Sequence, residues 1–136
     1  MSRCLFDVFI EKENFMEAWR RVRKKGSAGG VDGTSLEQFE ARLDKNISRL
    51  LAQLKEGAYV PQPVRAVSIP KFNEKNEYRQ LGLPAVKDKI VQAALLNIVE
   101  PLGEKIFHNT SYAYRKGKGH YKAIRRVIHN TENQGL

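Results

Sequence analysis

Two cations pose the first chemical question. Lys71 and Arg79 flank the polar tip of "SIPKFNEKNEYRQLGLP", residues 68–84, and a proline stiffens each arm. Lysine offers a mobile point charge, and arginine a planar fork that matches phosphate oxygens. A rigid two-stranded arm carrying both can clamp a triphosphate or grip a polynucleotide backbone. The same pattern also fits an exposed hairpin with ordinary surface cations. A second candidate is "SYAYRKGKG", residues 111–119, where Tyr112 and Tyr114 interleave with Arg115, Lys116 and Lys118. Aromatic rings stack on bases while cations hold phosphates; the plainer reading packs one of the tyrosines into the core.

Charge distribution favours a polyanionic partner. The 136-residue chain has a net charge of +9. Residues 1–59 hold 11 basic and 9 acidic side chains, whereas residues 60–136 hold 13 and 6. Residues 105–131 contain seven Lys/Arg, Arg125 and Arg126 among them, and no Asp or Glu. A one-signed block of that size attracts nucleic acid. "RRVRKK", residues 20–25, is either a phosphate-facing stripe or a solubilising surface.

Catalytic patterns are weak by comparison. The four aspartates Asp7, Asp32, Asp44 and Asp88 form no adjacent pair. Glu100 and Glu104 share a helical face and read as a surface feature near Pro101. His108, His120 and His129 lack metal-ligand spacing. Cys4 is the sole cysteine, so it forms no intrachain disulfide, and it carries no activating motif. The glycine-rich run "GSAGGVDGTS", residues 26–35, lacks the Gly-Lys-Ser/Thr ending of a phosphate-binding P-loop. No catalytic residue and no metal site is assigned. The apolar runs are too short or too interrupted to span a bilayer, and the N-terminus lacks a signal-peptide pattern, so a soluble chain with no membrane partner is expected.

Periodicity supplies the elements that would position these residues. A helix over 14–25, capped by Asn14, turns Phe15, Trp19 and Val22 to one side. Ser35 and Gln38 form a capping box for a helix over 36–56, with Leu36, Phe39, Leu43, Ile47, Leu50, Leu51 and Leu54 inward. Residues 64–83 read as a hairpin of two strands. A helix over 87–107 turns Ile90, Val91, Ala94, Leu95, Ile98, Val99 and Leu102 inward, and Pro101 should kink or split it. A last helix over 120–130 places Ala123, Ile124, Val127 and Ile128 inward, with Arg125 and Arg126 outward. The fold class is α+β, mainly helical with a small antiparallel β-hairpin sheet.

Taken in order, "AWRRVRKKGSAGGVDGTSLEQF", "YVPQPVRAVSIPK", "RQLGLPAVKDKIVQAALLNIVEPLGEKIF" and "SYAYRKGKG" resemble the N-terminal part of bacterial group II intron-encoded reverse transcriptases, or maturases. The likeness covers residues 14–124. It implies an N-terminal extension over 1–60 and a fingers region over 61–136, together one compact unit. By that resemblance Lys71 and Arg79 reach the triphosphate of the incoming dNTP. Ser27, Ala28, Gly29 and Gly30 belong to a lid near the template strand, and Tyr112 and Arg115 contact the template, beside Lys116, Lys118, Arg125 and Arg126. The sequence departs from the family pattern at several places. Gly29 and Gly30 include an extra glycine, Gln80 replaces a proline, Lys89 an arginine and Ala113 a glycine. No proline follows Arg115.

The family's palm aspartates, in a strand and in a Y-x-D-D turn, are absent, and the chain is expected to end before the palm. The resemblance therefore implies a fingers fragment of an RNA-directed DNA polymerase, inactive alone. It has no cofactor of its own, and Mg2+ is expected for the full-length enzyme. Implied partners are template RNA, the RNA/DNA duplex, dNTP and the palm domain, in a bacterial cytoplasm. Uncovered apolar surface would allow self-association as a homodimer. The alternative is a non-catalytic module that grips structured intron RNA.

Overall fold

A computed structural model describes residues 4–26, 28–72 and 76–134. The elements in order are α1 (Leu5–Phe9), α2 (Lys12–Lys25), α3 (Leu36–Glu40), α4 (Leu43–Lys55), β1 (Arg65–Pro70), β2 (Tyr78–Leu83), α5 (Val86–Ile106) and α6 (His120–Gln134). The expected class holds: mostly helix, with one two-stranded antiparallel sheet. The chain divides into two compact units, Met1–Ile98 and Val99–Leu136, and the division falls inside α5.

The first unit has an apolar core built from helix faces. Phe15, Ala18, Trp19 and Val22 recur at helical spacing along α2 and are all buried. They meet Leu36 and Phe39 of α3, Ile47, Leu50 and Leu51 of α4, and Val86, Ile90 and Ala94 of α5. Trp19 stacks on Phe39 with ring centroids 5.4 Å apart. Each such large side chain contributes about 1.5–3 kcal/mol through burial. Asn14 does not cap α2, whose first residue is Lys12. It lies in the first turn, as the third helical residue, where its amide nitrogen donates to the carbonyls of Phe9 and Ala94 at 2.9 and 3.1 Å. Asn97 in turn donates to the Asn14 amide oxygen at 2.9 Å. The residue read as a cap is thus a polar crosslink between α2 and α5.

The capping box is present: the Gln38 N–H donates to Ser35 Oγ, and the Ser35 N–H donates to the Gln38 side chain. The long helix expected over 36–56 is broken in two, however. Arg42, at φ −133° and ψ 38°, leaves the helical region. The Asn46 side chain donates to the Phe39 carbonyl at 2.9 Å, giving that carbonyl a partner outside the helix. At the other end of α4, Gly57 takes a φ of +67°. The Ala58 N–H reaches the Gln53 carbonyl and the Gly57 N–H the Leu54 carbonyl, which is the left-handed stop favoured by glycine.

α5 continues as helix through Pro101 rather than splitting there. Its inward face is shorter than expected. Val86, Asp88, Ile90 and Ala94 are buried, but Leu95, Val99 and Leu102 face solvent. In the second unit none of the described residues is buried. Ile124, Val127 and Ile128 of α6, expected inward, are about half exposed or more. The apolar stripe exists in the sequence, but the described chain does not cover it.

Candidate nucleotide and nucleic-acid interface

The hairpin register decides where its two cations go. β1 and β2 pair with Ile69 opposite Arg79 and Pro70 opposite Tyr78. The Lys71 N–H donates to the Glu77 carbonyl at 2.9 Å, which continues the ladder one step toward the tip. Side chains alternate across a strand, so Lys71, Glu77 and Arg79 share one face with Ile69. Ser68 and Gln80 occupy the other face, where the Gln80 amide donates to Ser68 Oγ at 2.9 Å. Gln80 therefore ties the two strands together. On the cationic face the Lys71 ammonium meets the Glu77 carboxylate at 2.5 Å. That carboxylate sits between the two cations in the ladder.

The glycine-rich loop packs against the beginning of α5. Ser27 lies outside the described residues. A methyl group on Gly30 would come within 2.5 Å of Ala85 backbone atoms, and one on Gly29 within 2.8 Å of the Thr34 carbonyl oxygen. Only glycine allows so close an approach. Lys89 secures the same loop by donating to the Ala28 carbonyl at 2.8 Å. Burial lowers the Lys89 pKa, the charge of Arg65 lowers it further, and Asp32 partly opposes both.

Asp88 fixes the chain that leads into β1. This carboxylate is only 3% exposed. It accepts the Tyr59 hydroxyl at 2.5 Å and the Gln62 N–H at 2.9 Å. Burial, then the hydrogen bond to Asp88 and its charge, push the Tyr59 phenol well above its ordinary pKa. Sequence reasoning missed this staple, because the partners lie 26 and 29 residues apart.

In the second unit, loop 107–119 is organised by Arg115. Its side chain is 6% exposed and forms a two-pronged pair with Glu104 at 2.9 and 2.8 Å. It also donates to the carbonyls of His108 and Ser111 and lies over the Phe107 ring. Hydrogen bonds from Arg115, joined by the charges of Arg115 and Lys118, hold the Glu104 carboxyl below the usual carboxylate range. Glu104 is therefore an architectural partner as well as a surface residue. Tyr114 projects fully into solvent at a φ of +58°. Tyr112 is half-buried, with the Lys118 ammonium 5.6 Å from its ring centroid. Lys116, Arg125 and Arg126 are exposed, and Arg126 donates to the Asn109 carbonyl at 3.2 Å.

Lys71 and Arg79 are thus brought onto one face, Ala28 to Gly30 onto the base of α5, and Tyr112 to Lys118 into one loop. Among the described residues no three His, Cys, Asp or Glu side chains converge as metal ligands would. Among the same residues no helix is long and apolar enough to cross a membrane.

No protein-family model matches the chain. Individual relatives do. The Escherichia coli protein YkfC is 44% identical over 125 residues, which is 90% of this chain and 32% of YkfC. The group II intron-encoded protein LtrA of Lactococcus lactis is 34% identical over the same share of this chain and 20% of its own. A putative COX1/OXI3 intron 1 protein of Saccharomyces cerevisiae is 28% identical over 91% of this chain and 14% of its own. The chain thus spans a third or less of the length of these curated relatives.

Proposed function

Because the chain is homologous over nine-tenths of its length to group II intron-encoded proteins, we propose that it forms the fingers portion of an RNA-directed DNA polymerase of that type. In this reading it binds template RNA and positions the triphosphate of an incoming dNTP. The observation that carries the reading is the placement of Lys71 and Arg79 on one face of a paired hairpin. A triphosphate tail laid along that face meets a point charge and a planar fork from adjacent strands, and both favour phosphate oxygens. Glu77 holds Lys71 until a phosphate displaces it.

Two-metal phosphoryl transfer needs several carboxylates around a pair of ions. The residues described here do not form such a cage, and we assign the chemistry to a palm domain outside this chain. The glycine-rich loop, fixed to α5 through Gly30 and Lys89, serves as a lid on the template. Tyr114, Lys116 and Lys118 offer a stacking face and backbone contacts, in a loop whose shape Arg115 sets.

The test is nucleotide kinetics in a polymerase carrying this segment. Arg79→Ala and Lys71→Ala should each raise the apparent KM for dNTP. Unchanged nucleotide dependence in both variants would remove the assignment. A second reading, an RNA-gripping module without a nucleotide role, is favoured by the acid-free stretch 105–131. It is the one left standing if RNA binding survives while dNTP dependence never responds to the hairpin.

A further inference from the structure

Between α2 and the first half of α5 lies an open cleft of about 670 Å3, within the first unit. Arg21, Lys24, Lys25 and Lys89 line it, together with Gln92 and Leu96, and no carboxylate lines it among the described residues. The charge of α2 is sorted by direction. Arg20 pairs with Glu17, and Arg23 with Glu37 and Glu40. The other three cations of "RRVRKK" turn to the cleft. Leu96, about half exposed, stands among them. Concentrated positive charge around an apolar side chain suits a nucleic-acid strand, with phosphates on the ammonium groups and a ribose or base against the leucine. The cleft also reaches Gly26, where the glycine-rich loop begins, so a strand passing under the lid has a charged path to continue along.

We propose that the α2–α5 cleft is a separate seat for single-stranded RNA, holding consecutive phosphates through Lys24, Lys25 and Lys89. The inference rests on the nucleic-acid reading above and adds a binding surface distinct from the hairpin and from loop 107–119. Lysines on a flexible stem contribute mainly charge, so the signature is electrostatic. Each single-strand phosphate contact adds about 0.7 to the slope of log affinity against log salt.

The experiment titrates a labelled oligouridylate against the full chain across a salt series, comparing the native sequence with Lys24→Gln/Lys25→Gln and a control, Lys45→Gln/Lys55→Gln. The cleft pair should lower the slope by about 1.4. If the salt curves meet near 1 M, that corresponds to roughly 25-fold weaker binding at about 0.1 M salt. The control should bind like the native chain. Thermal melts check folding, and if the pair is unstable, each single substitution should lower the slope by about 0.7. An unchanged slope with native RNA binding intact overturns the cleft but not the proposed function. Absence of RNA binding by the native chain overturns both. Loss of affinity for polyglutamate with RNA binding retained marks a protein-facing cleft and also overturns the proposal.

Discussion

The staple at Asp88 allows the sharpest test of how the hairpin is held. Its carboxylate accepts a hydroxyl from Tyr59 and a backbone N–H from Gln62 while almost wholly buried. Hydrogen bonds to a charged group contribute about 1.5–3 kcal/mol each. Asp88→Ala removes both and leaves the Gln62 N–H without its acceptor, so a loss of about 3–5 kcal/mol is expected. Asp88→Asn keeps one acceptor oxygen but turns an NH2 donor toward the other of the two donors, and should lose about 1.5–3 kcal/mol. Tyr59→Phe removes one bond to the carboxylate and leaves it the Gln62 N–H, for about 1.5–3 kcal/mol. Urea unfolding of the singles and the double gives the coupling between Asp88 and Tyr59, expected at about 1–2 kcal/mol for residues in direct contact. The m-value should not move if only contacts are lost. Hydrogen exchange should quicken in β1 when the staple is cut, because Gln62 anchors the chain leading into it. A coupling below about 0.5 kcal/mol, the scatter of independent sites, would refute the reasoning.

Other expectations follow from the same geometry. Glu77→Gln releases Lys71 from its carboxylate, and the apparent KM for dNTP in a polymerase carrying the segment should fall by about 1.5- to 5-fold, the equivalent of an exposed ion pair of 0.2–1 kcal/mol. Gly30→Ala forces a methyl group into the Ala85 backbone and should destabilise by about 1–3 kcal/mol or more, read by thermal melting. The Tyr59 phenol titrates higher in the folded chain than in the unfolded one. Its contribution is therefore complete below the ordinary tyrosine value, about 10, and declines as pH rises past it; Tyr59→Phe should flatten that alkaline limb. Ile124→Ser/Val127→Ser alters side chains 54% and 63% exposed. It should leave the melting temperature within about 1–2 °C, the effect of changes under 0.5 kcal/mol, while reducing light scattering at high concentration.

What the sequence made legible was local. The stripes Phe15–Trp19–Val22 and Leu36 to Leu54 announced the core, and Ser35 with Gln38 announced a helix start, because neighbouring members of each signal are about one helical turn apart in sequence. The proline-flanked hairpin with one cation on each arm was legible too, but that Lys71 and Arg79 share a face depends on the register between the strands. What stayed hidden depended on distant partners. Asn14 looked like a cap until Ala94 and Asn97 arrived beside it. Asn46 broke a helix by reaching back to Phe39. Glu104 looked like surface until loop 107–119 returned Arg115 to it. Periodicity also overstated burial: the stripe on α6 is real, but a stripe specifies a face, not something to cover it.

The alternation of the hairpin has a consequence for chain length. Inserting or deleting two residues in β1 leaves Lys71 and Arg79 looking the same way, whereas a change of one inverts the lysine relative to the arginine. Natural variants of this arm should therefore differ by even steps within the paired stretch and by any step beyond it. Odd-length indels between Arg65 and Pro70 should survive only where a bulge restores the parity.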